Sequence, residues 1–319
     1  MIVVAYLCGC LAATANAATN VMQRAANRDI SERLEFSFAL VKSLMRRPIW
    51  LASIVTMLSS FVLQAAGLGL GTLAAIEPLL VLELPLTLIG ARFFLGSRLG
   101  RREWSAIVVM TAGTSGLIGF LGPSGDQVVG IGWLVWLVAT AATAGPICTA
   151  YWLGRRSRSP GRRAGVLGIG AGMSFGLAAA LTKGMTQQFA SGGLTGVLTA
   201  WQLYAMGVAG LLAFWMDQNA VNAGRLAAAQ PGITLGDPCV SIVWGVTVFQ
   251  ETTRGGAWLV AACVCGAAMS VAAVVLARSP ATTGEAARAE VPGDSREEAP
   301  GERADEAPGE GRGSARTRS

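Results

Sequence analysis

LAAIEPLLVLELPLTLIGARFF, residues 73–94, and LAAAQPGITLGDPCVSIVWGVTVF, residues 226–249, carry the reading of this chain. The first opens Leu73-Ala74-Ala75-Ile76-Glu77-Pro78 and places a second proline seven residues later, at Pro85. The second opens Leu226-Ala227-Ala228-Ala229-Gln230-Pro231 and places Pro238 at the same distance. Each is an apolar run of the roughly 20 residues that a helix needs to cross a bilayer. Each closes on a phenylalanine, Phe94 or Phe249, and each is followed by a tryptophan, Trp104 or Trp258, that opens the next apolar run. Gln64 precedes the first copy at the offset by which Asp217 precedes the second. Self-similarity of this kind marks a chain built from two copies of one plan.

Outward from these two stretches, apolar runs lie near 1–21, 49–68, 72–95, 104–121, 128–153, 164–183, 196–216, 226–249 and 256–277, which predicts nine crossings. Basic residues alternate between the connections. Arg24, Arg28, Arg33, Lys42, Arg46 and Arg47 follow the first span, Arg98, Arg101 and Arg102 the third, Arg155, Arg156, Arg158, Arg162 and Arg163 the fifth, and Arg225 the seventh. The loops near 69–71, 122–127 and 184–195 hold none, Lys183 standing at a helix end, and 250–255 holds only Arg254. The positive-inside rule then puts the N-terminus outside and the C-terminus in the cytoplasm of a plasma-membrane protein. The third and eighth spans are five crossings apart and so run in opposite directions, which makes the duplication an inverted repeat.

The expected organisation is a first repeat over 1–127, a linking span over 128–153, a second repeat over 154–279 and a disordered cytoplasmic tail over 280–319. Within the first repeat, 31–47 reads as an amphipathic helix on the cytoplasmic surface. Its apolar stretch Leu34–Met45 is short for a span and carries Glu35 and Lys42. The tail has almost no large apolar residue with which to fold. Ala15-Asn16-Ala17 resembles a signal-peptidase site, but no basic residue precedes it, so the segment reads as a retained first helix.

Composition agrees. Hydrophobic residues make up 52% of the 319 residues and charged residues 14%, against about 25% charged in soluble domains. Gly, at 41 residues, suits helices that approach through small side chains. The glycines at 168, 172 and 176, and Ala262, Gly266 and Ser270, form such stripes, suited to contacts inside the bundle and secondarily to a homodimer face. The chain contains no His, which removes His-based catalysis, metal ligation and proton relays and turns the reading away from an enzyme. Cys8, Cys10, Cys148, Cys239, Cys263 and Cys265 all fall in apolar runs and read as packing rather than metal ligands. No cofactor or nucleotide motif is present, and the basic residues are accounted for by orientation, not nucleic acid.

On the duplicated Pro78/Pro85 and Pro231/Pro238 helices, the Phe249-Gln250-Glu251 exit before the helix of Gly266, and the matching Gly96–Gly113 segment, the sequence resembles the drug/metabolite transporter superfamily of the EamA-like type. The resemblance covers about residues 1–277 and implies an all-α bundle of nine or ten helices in two inverted halves, moving metabolites across a membrane. The nine-span form is also similar to a magnesium-transporter branch. That branch tends to carry an acidic residue in the second helix, where this chain has Phe61 and Gln64.

Charged side chains inside a span are costly and call for a functional or pairing explanation. The candidates are Glu77 and Glu83 in the third span, Asp217 in the seventh and Asp237 in the eighth. Glu83 and Asp237 are expected to flank a central cavity with Gln230 and Gln64 as neutral hydrogen-bonding groups, one carboxylate taking a proton or a cationic group. Glu77 and Asp217 lie nearer an interface. Pro78, Pro85, Pro231 and Pro238 are the expected helix breaks, and paired breaks in inverted halves point to a transport site. The alternative is that these acids pair within the bundle, with Lys183 or Arg92 among the partners, although Lys183 is expected to snorkel outward. The leading expectation is a gradient-driven carrier of a small organic solute. A divalent-cation carrier is the alternative, and a scaffold or intramembrane enzyme a second one.

Overall fold

The structure, a computed structural model, describes residues 1–27, 47–97, 99–125, 130–223 and 226–278. Positions 31–46 of the expected surface helix and the expected tail over 280–319 lie outside the described residues. Among the described residues the chain is a bundle of α-helices, in chain order α1 (Ile2–Asn27), α2 (Pro48–Leu70), α3 (Leu73–Leu80), α4 (Glu83–Leu95), α5 (Arg101–Leu121), α6 (Trp133–Arg156), α7 (Pro160–Thr199), α8 (Trp201–Ala223), α9 (Leu226–Thr247) and α10 (Ala257–Ala277). The only β-type pairing among them is an isolated antiparallel bridge between Ser124 and Thr252.

The expected spans fall on these helices, α3 and α4 together forming the third and the expected seventh, 196–216, beginning on the last turn of α7 and continuing on α8. By length and composition α1, α2, α3–α4, α5, α6, α7 and α10 are long and apolar enough to cross a membrane. α8 and α9 are as long, at 23 and 22 residues. Their apolar character is diluted by Gln202 and Asp217 in α8 and by Gln230 and Asp237 in α9. The outer surface confirms the solvent. Large apolar side chains such as Leu211, Val264 and Phe94 face outward, while the interior collects Ala, Gly, Ser and Thr. Water would not tolerate such a surface over most of a chain; lipid does.

Two expectations on span limits are corrected. Residues 184–195, read as a loop, continue α7, which runs to Thr199 with one non-helical residue at Gly193 (φ 58°, ψ −148°). Nothing stops the helix earlier, because no proline follows Lys183 and the first pair of adjacent glycines is Gly192-Gly193. In addition, Pro78 lies inside α3, Pro85 inside α4, and Pro231 and Pro238 inside α9, yet only the first copy is interrupted.

The interruption follows from Pro85. A proline has no N–H, so the carbonyl of Val81 loses its usual partner four residues on. It accepts from Leu84 N at 3.3 Å instead, while Val81 N and Leu82 N bond to Pro78 O and Leu79 O at 3.3 and 3.1 Å. These are the tighter i→i+3 bonds of a 3₁₀ turn, and they separate α3 from α4. α9 keeps its axis through both prolines because it is clamped along its length by α7. A Cβ at Gly168 would lie 2.5 Å from Ala229 O, one at Gly172 2.6 Å from Gly232 O, and one at Gly176 2.7 Å from the carbonyl of Asp237. The glycine stripe of α7 is therefore a contact inside the bundle, helix backbone against helix backbone.

Neighbour relations recur in the two halves. α1 packs against α2, α3 and α4; α7 packs against α8 and α9. The halves join where α10 lies along α5, α9 against α3, and α2 against α7. Ala262, Gly266, Met269 and Ser270 of α10 are buried, with Met269 beside Gly113 of α5.

The α7–α9 contact yields a prediction. Gly172→Leu should lower stability by about 1–3 kcal/mol through overpacking. Gly207→Ala on α8, where an added Cβ meets nothing within 4 Å, should change it by less than about 1 kcal/mol. Thermal unfolding of the detergent-solubilised protein compares the two.

Candidate functional site

Two polar groups occupy the interior, one around Glu77 of α3 and Asp237 of α9 and one, a helical turn from Glu77, at the end where α2 turns into α3. The first is built on α3 and α9. Glu77 is buried, 2% exposed, and accepts a hydrogen bond from Gln64 Nε2 of α2 at 3.1 Å. Asp237 of α9 stands close enough for the two charges to act on each other, and Asp237 Oδ1 accepts from Ser241 Oγ at 3.3 Å, one turn on. Gln230, buried one proline before the centre of α9, donates to Thr234 Oγ1 at 3.4 Å. No salt bridge to Glu77, Glu83 or Asp237 forms among the described residues.

Glu83 takes a different place from the one expected. It opens α4, and its carboxylate accepts from Asn20 Nδ2 of α1 at 2.8 Å and from Asn16 of the same helix. The turn at 81–82 separates it from Glu77, and the partner of Asp237 is Glu77 rather than Glu83. Asp217 is half-buried near the end of α8, a helix whose main neighbour is α7. Pro78, next to Glu77, and Pro238, next to Asp237, are buried, as is Pro85 on α4, with Pro231 half-buried. Asn16 and Asn20, which the sequence reading did not place at the site, are polar residues spaced one helical turn apart in a mostly apolar run.

The second group was also missed. Lys183 does not snorkel outward. It is buried, 4% exposed, and its Nζ pairs with Glu251 Oε1 at 2.5 Å. The same Nζ donates to Gly71 O at 3.0 Å and lies 5.0 Å from the centroid of the Phe249 ring. Glu251 accepts from Leu73 N at 2.6 Å on one oxygen and from Ala74 N at 3.0 Å on the other. Thr72, the residue before α3, makes no side-chain cap bond. The first amides of α3 would otherwise be orphaned, and a carboxylate from the far half of the chain satisfies two of them and meets the positive end of the helix dipole. Lys183 supplies the countercharge.

Local chain geometry delivers this carboxylate. After Thr247 the chain tightens, with Phe249 N bonded to Trp244 O at 3.1 Å, and Gln250 adopts φ 53°. That left-handed residue turns Glu251 back over α9, where its N–H bonds to Gly245 O at 2.8 Å and its side chain lies in the space left by the missing side chain of Gly245. Around it Trp136 packs against Trp201, Trp244 and Phe249 at centroid distances of 5.5, 5.5 and 5.9 Å. Trp244 Nε1 donates to Thr143 Oγ1 at 2.9 Å. Beside this plug Ser124 and Thr252 exchange two backbone hydrogen bonds, at 2.9 and 2.6 Å, and Arg254 N bonds to Leu121 O at 2.8 Å. The sequence did hold a signal: Lys183 is one of two lysines in the chain, and it stands at the edge of an apolar run.

No family model matches the chain, and no solved structure matches it. It is similar to an uncharacterized protein of Corynebacterium glutamicum, 29% identical over 242 residues that cover 75% of this chain and 82% of the relative. Fold and composition define the class: a polytopic helical membrane protein.

The ion pair makes an asymmetric prediction. Lys183→Met leaves a buried carboxylate without its countercharge and should cost about 3 kcal/mol, the low end for breaking a buried pair, because two amides still hold Glu251. The charge swap K183E/E251K should not restore stability, since an ammonium at 251 has no acceptor for the amides of Leu73 and Ala74. Melting temperatures of the two variants against wild type decide it; full recovery in the swap would show that charge alone matters.

Proposed function

We propose that this chain is a secondary active transporter that moves a small organic solute across the plasma membrane by alternating access, acting as a carrier and not as an enzyme. The observation that carries the reading is the meeting of α3 and α9, the two related helices, which brings Glu77 and Asp237 within electrostatic reach of each other. Support comes from the repeated neighbour relations of the two halves, in which α1 with its partners is mirrored by α7 with its own. An inverted repeat of this kind allows one half to rock against the other around a fixed site. Gln64, Gln230, Thr234 and Ser241 supply neutral donors and acceptors that orient a solute without fixing its charge. The acidic pair supplies the coupling, because a proton and a cationic group compete for one place between two carboxyls. Orientation follows the alternating basic loops, with the Lys183–Glu251 end outside and the C-terminus in the cytoplasm.

The divalent-cation alternative draws no support from the geometry. Among the described residues no three Asp, Glu or Cys side chains gather as metal ligands, whereas a magnesium ion asks for near-octahedral oxygen coordination.

Purified protein in liposomes, offered radiolabelled amino acids, amines, nucleosides and sugars with and without an imposed pH gradient, tests the reading. The expected result is saturable uptake of one class whose rate follows the gradient, reduced at least about tenfold in Glu77→Gln and in Asp237→Asn, about 1.4 kcal/mol of lost coupling. Uptake that keeps its rate and its response to the gradient in both variants removes the acidic pair from the mechanism.

A further inference from the structure

The Lys183–Glu251 pair does more than fill a polar gap in the fold. It joins three segments distant in sequence: the turn between α2 and α3 through Gly71, the middle of α7 through Lys183, and the connection between α9 and α10 through Glu251. Leu73, whose amide Glu251 holds, is one helical turn before Glu77 on the eight residues of α3. α3 is cut off from α4 by the Pro85 turn, so it is a short rigid rod with the carboxylate of the second half fixed to one end and the central acid near its middle. Displacement of the α9–α10 connection would therefore act on Glu77 through this rod.

The same end of the bundle is closed. Lys183, Glu251, Phe249, Trp136 and Trp244 are all buried, and the Ser124–Thr252 bridge ties the α5–α6 connection to the α9–α10 connection above them. The pair also has the properties of a separable contact. Its members come from different segments, Lys183 from α7 and Glu251 from the α9–α10 connection, and the turn that presents Glu251 passes through one strained residue, Gln250 at φ 53°. Parting Lys183 from Glu251 requires both charges to be rehydrated, so the contact has two states, dry and joined or wet and apart, with little between.

We propose that Lys183 and Glu251, with the amides of Leu73 and Ala74, form the latch that closes this end of the bundle and positions Glu77, and that its opening is the step that admits solute from that side. This inference rests on the transporter reading for its purpose but not for its test. Hydrogen–deuterium exchange of the full-length protein in lipid nanodiscs reads the amides of Leu73 and Ala74 without any solute. The lock is a second tool. Ser124 and Thr252 form a hydrogen-bonded antiparallel pair, whose Cα atoms stand about 5.5 Å apart, within the span of a disulfide, and both residues are exposed to oxidant.

The expected result is that peptides covering 71–77 and 249–252 exchange through a shared local opening. Glu251→Gln should speed both by about tenfold or more while α5 and α10 keep wild-type rates. Oxidised S124C/T252C should slow both by about tenfold relative to its reduced form, with wild type treated by the same oxidant unchanged. Equal exchange in the oxidised and reduced forms, or acceleration in Glu251→Gln that α5 and α10 share, would make the pair a fixed staple and overturn the proposal. If the locked form still carries solute at the reduced protein's rate, the latch fails and transport stands. If the local opening is seen but no solute moves, the latch stands and the transport reading fails.

Discussion

A helix that begins inside a membrane leaves its first amide hydrogens with no water to turn to, and the structure is organised around how α3 meets that demand. The donors are Leu73 N and Ala74 N, and the acceptor is a carboxylate from residue 251, on the opposite half of the chain. A buried carboxylate is itself untenable without a countercharge. Lys183 provides it from a third helix and returns a bond to the carbonyl of Gly71. Each group in this set would be costly alone. Together they satisfy one another, and they fix three distant segments at one end of the bundle.

The contrast with the central acids is instructive. Glu251 has a cation and two amides; Glu83 has Asn16 and Asn20; Glu77 and Asp237 have Gln64, Ser241 and each other. The first is balanced by a cation of the protein, while the second and third are held by neutral donors.

Packing explains why these helices can be both precise and movable. α7 and α9 touch backbone to backbone through the glycines of both helices, a contact with almost no side-chain slack. α3 and α4, by comparison, are divided by the Pro85 turn, and the two pieces answer to different partners: α3 to α9 and Glu251, α4 to α1. One related helix is a rigid strut and the other a jointed one, although both carry two prolines seven residues apart. Proline removes a hydrogen bond in either case; the neighbour decides whether the helix opens.

By itself the sequence determined the solvent, the all-helical class and the duplication around Glu77-Pro78 and Gln230-Pro231, because these depend on runs of apolar residues and on repetition, both local properties of the chain; the limits of the spans it gave less well, as the continuation of α7 to Thr199 shows. It also singled out the buried acids, since any charge within an apolar run stands out. Their pairing was beyond it. Glu83 was expected opposite Asp237, yet the Pro85 turn sends Glu83 to α1 and leaves Glu77 at the centre, a rotation that no periodicity count includes. Lys183 and Glu251 are 68 residues apart and looked like two helix ends at a membrane surface. Only the tertiary structure decided that they are buried together, because the partner that makes a buried charge tolerable is chosen by which helices meet.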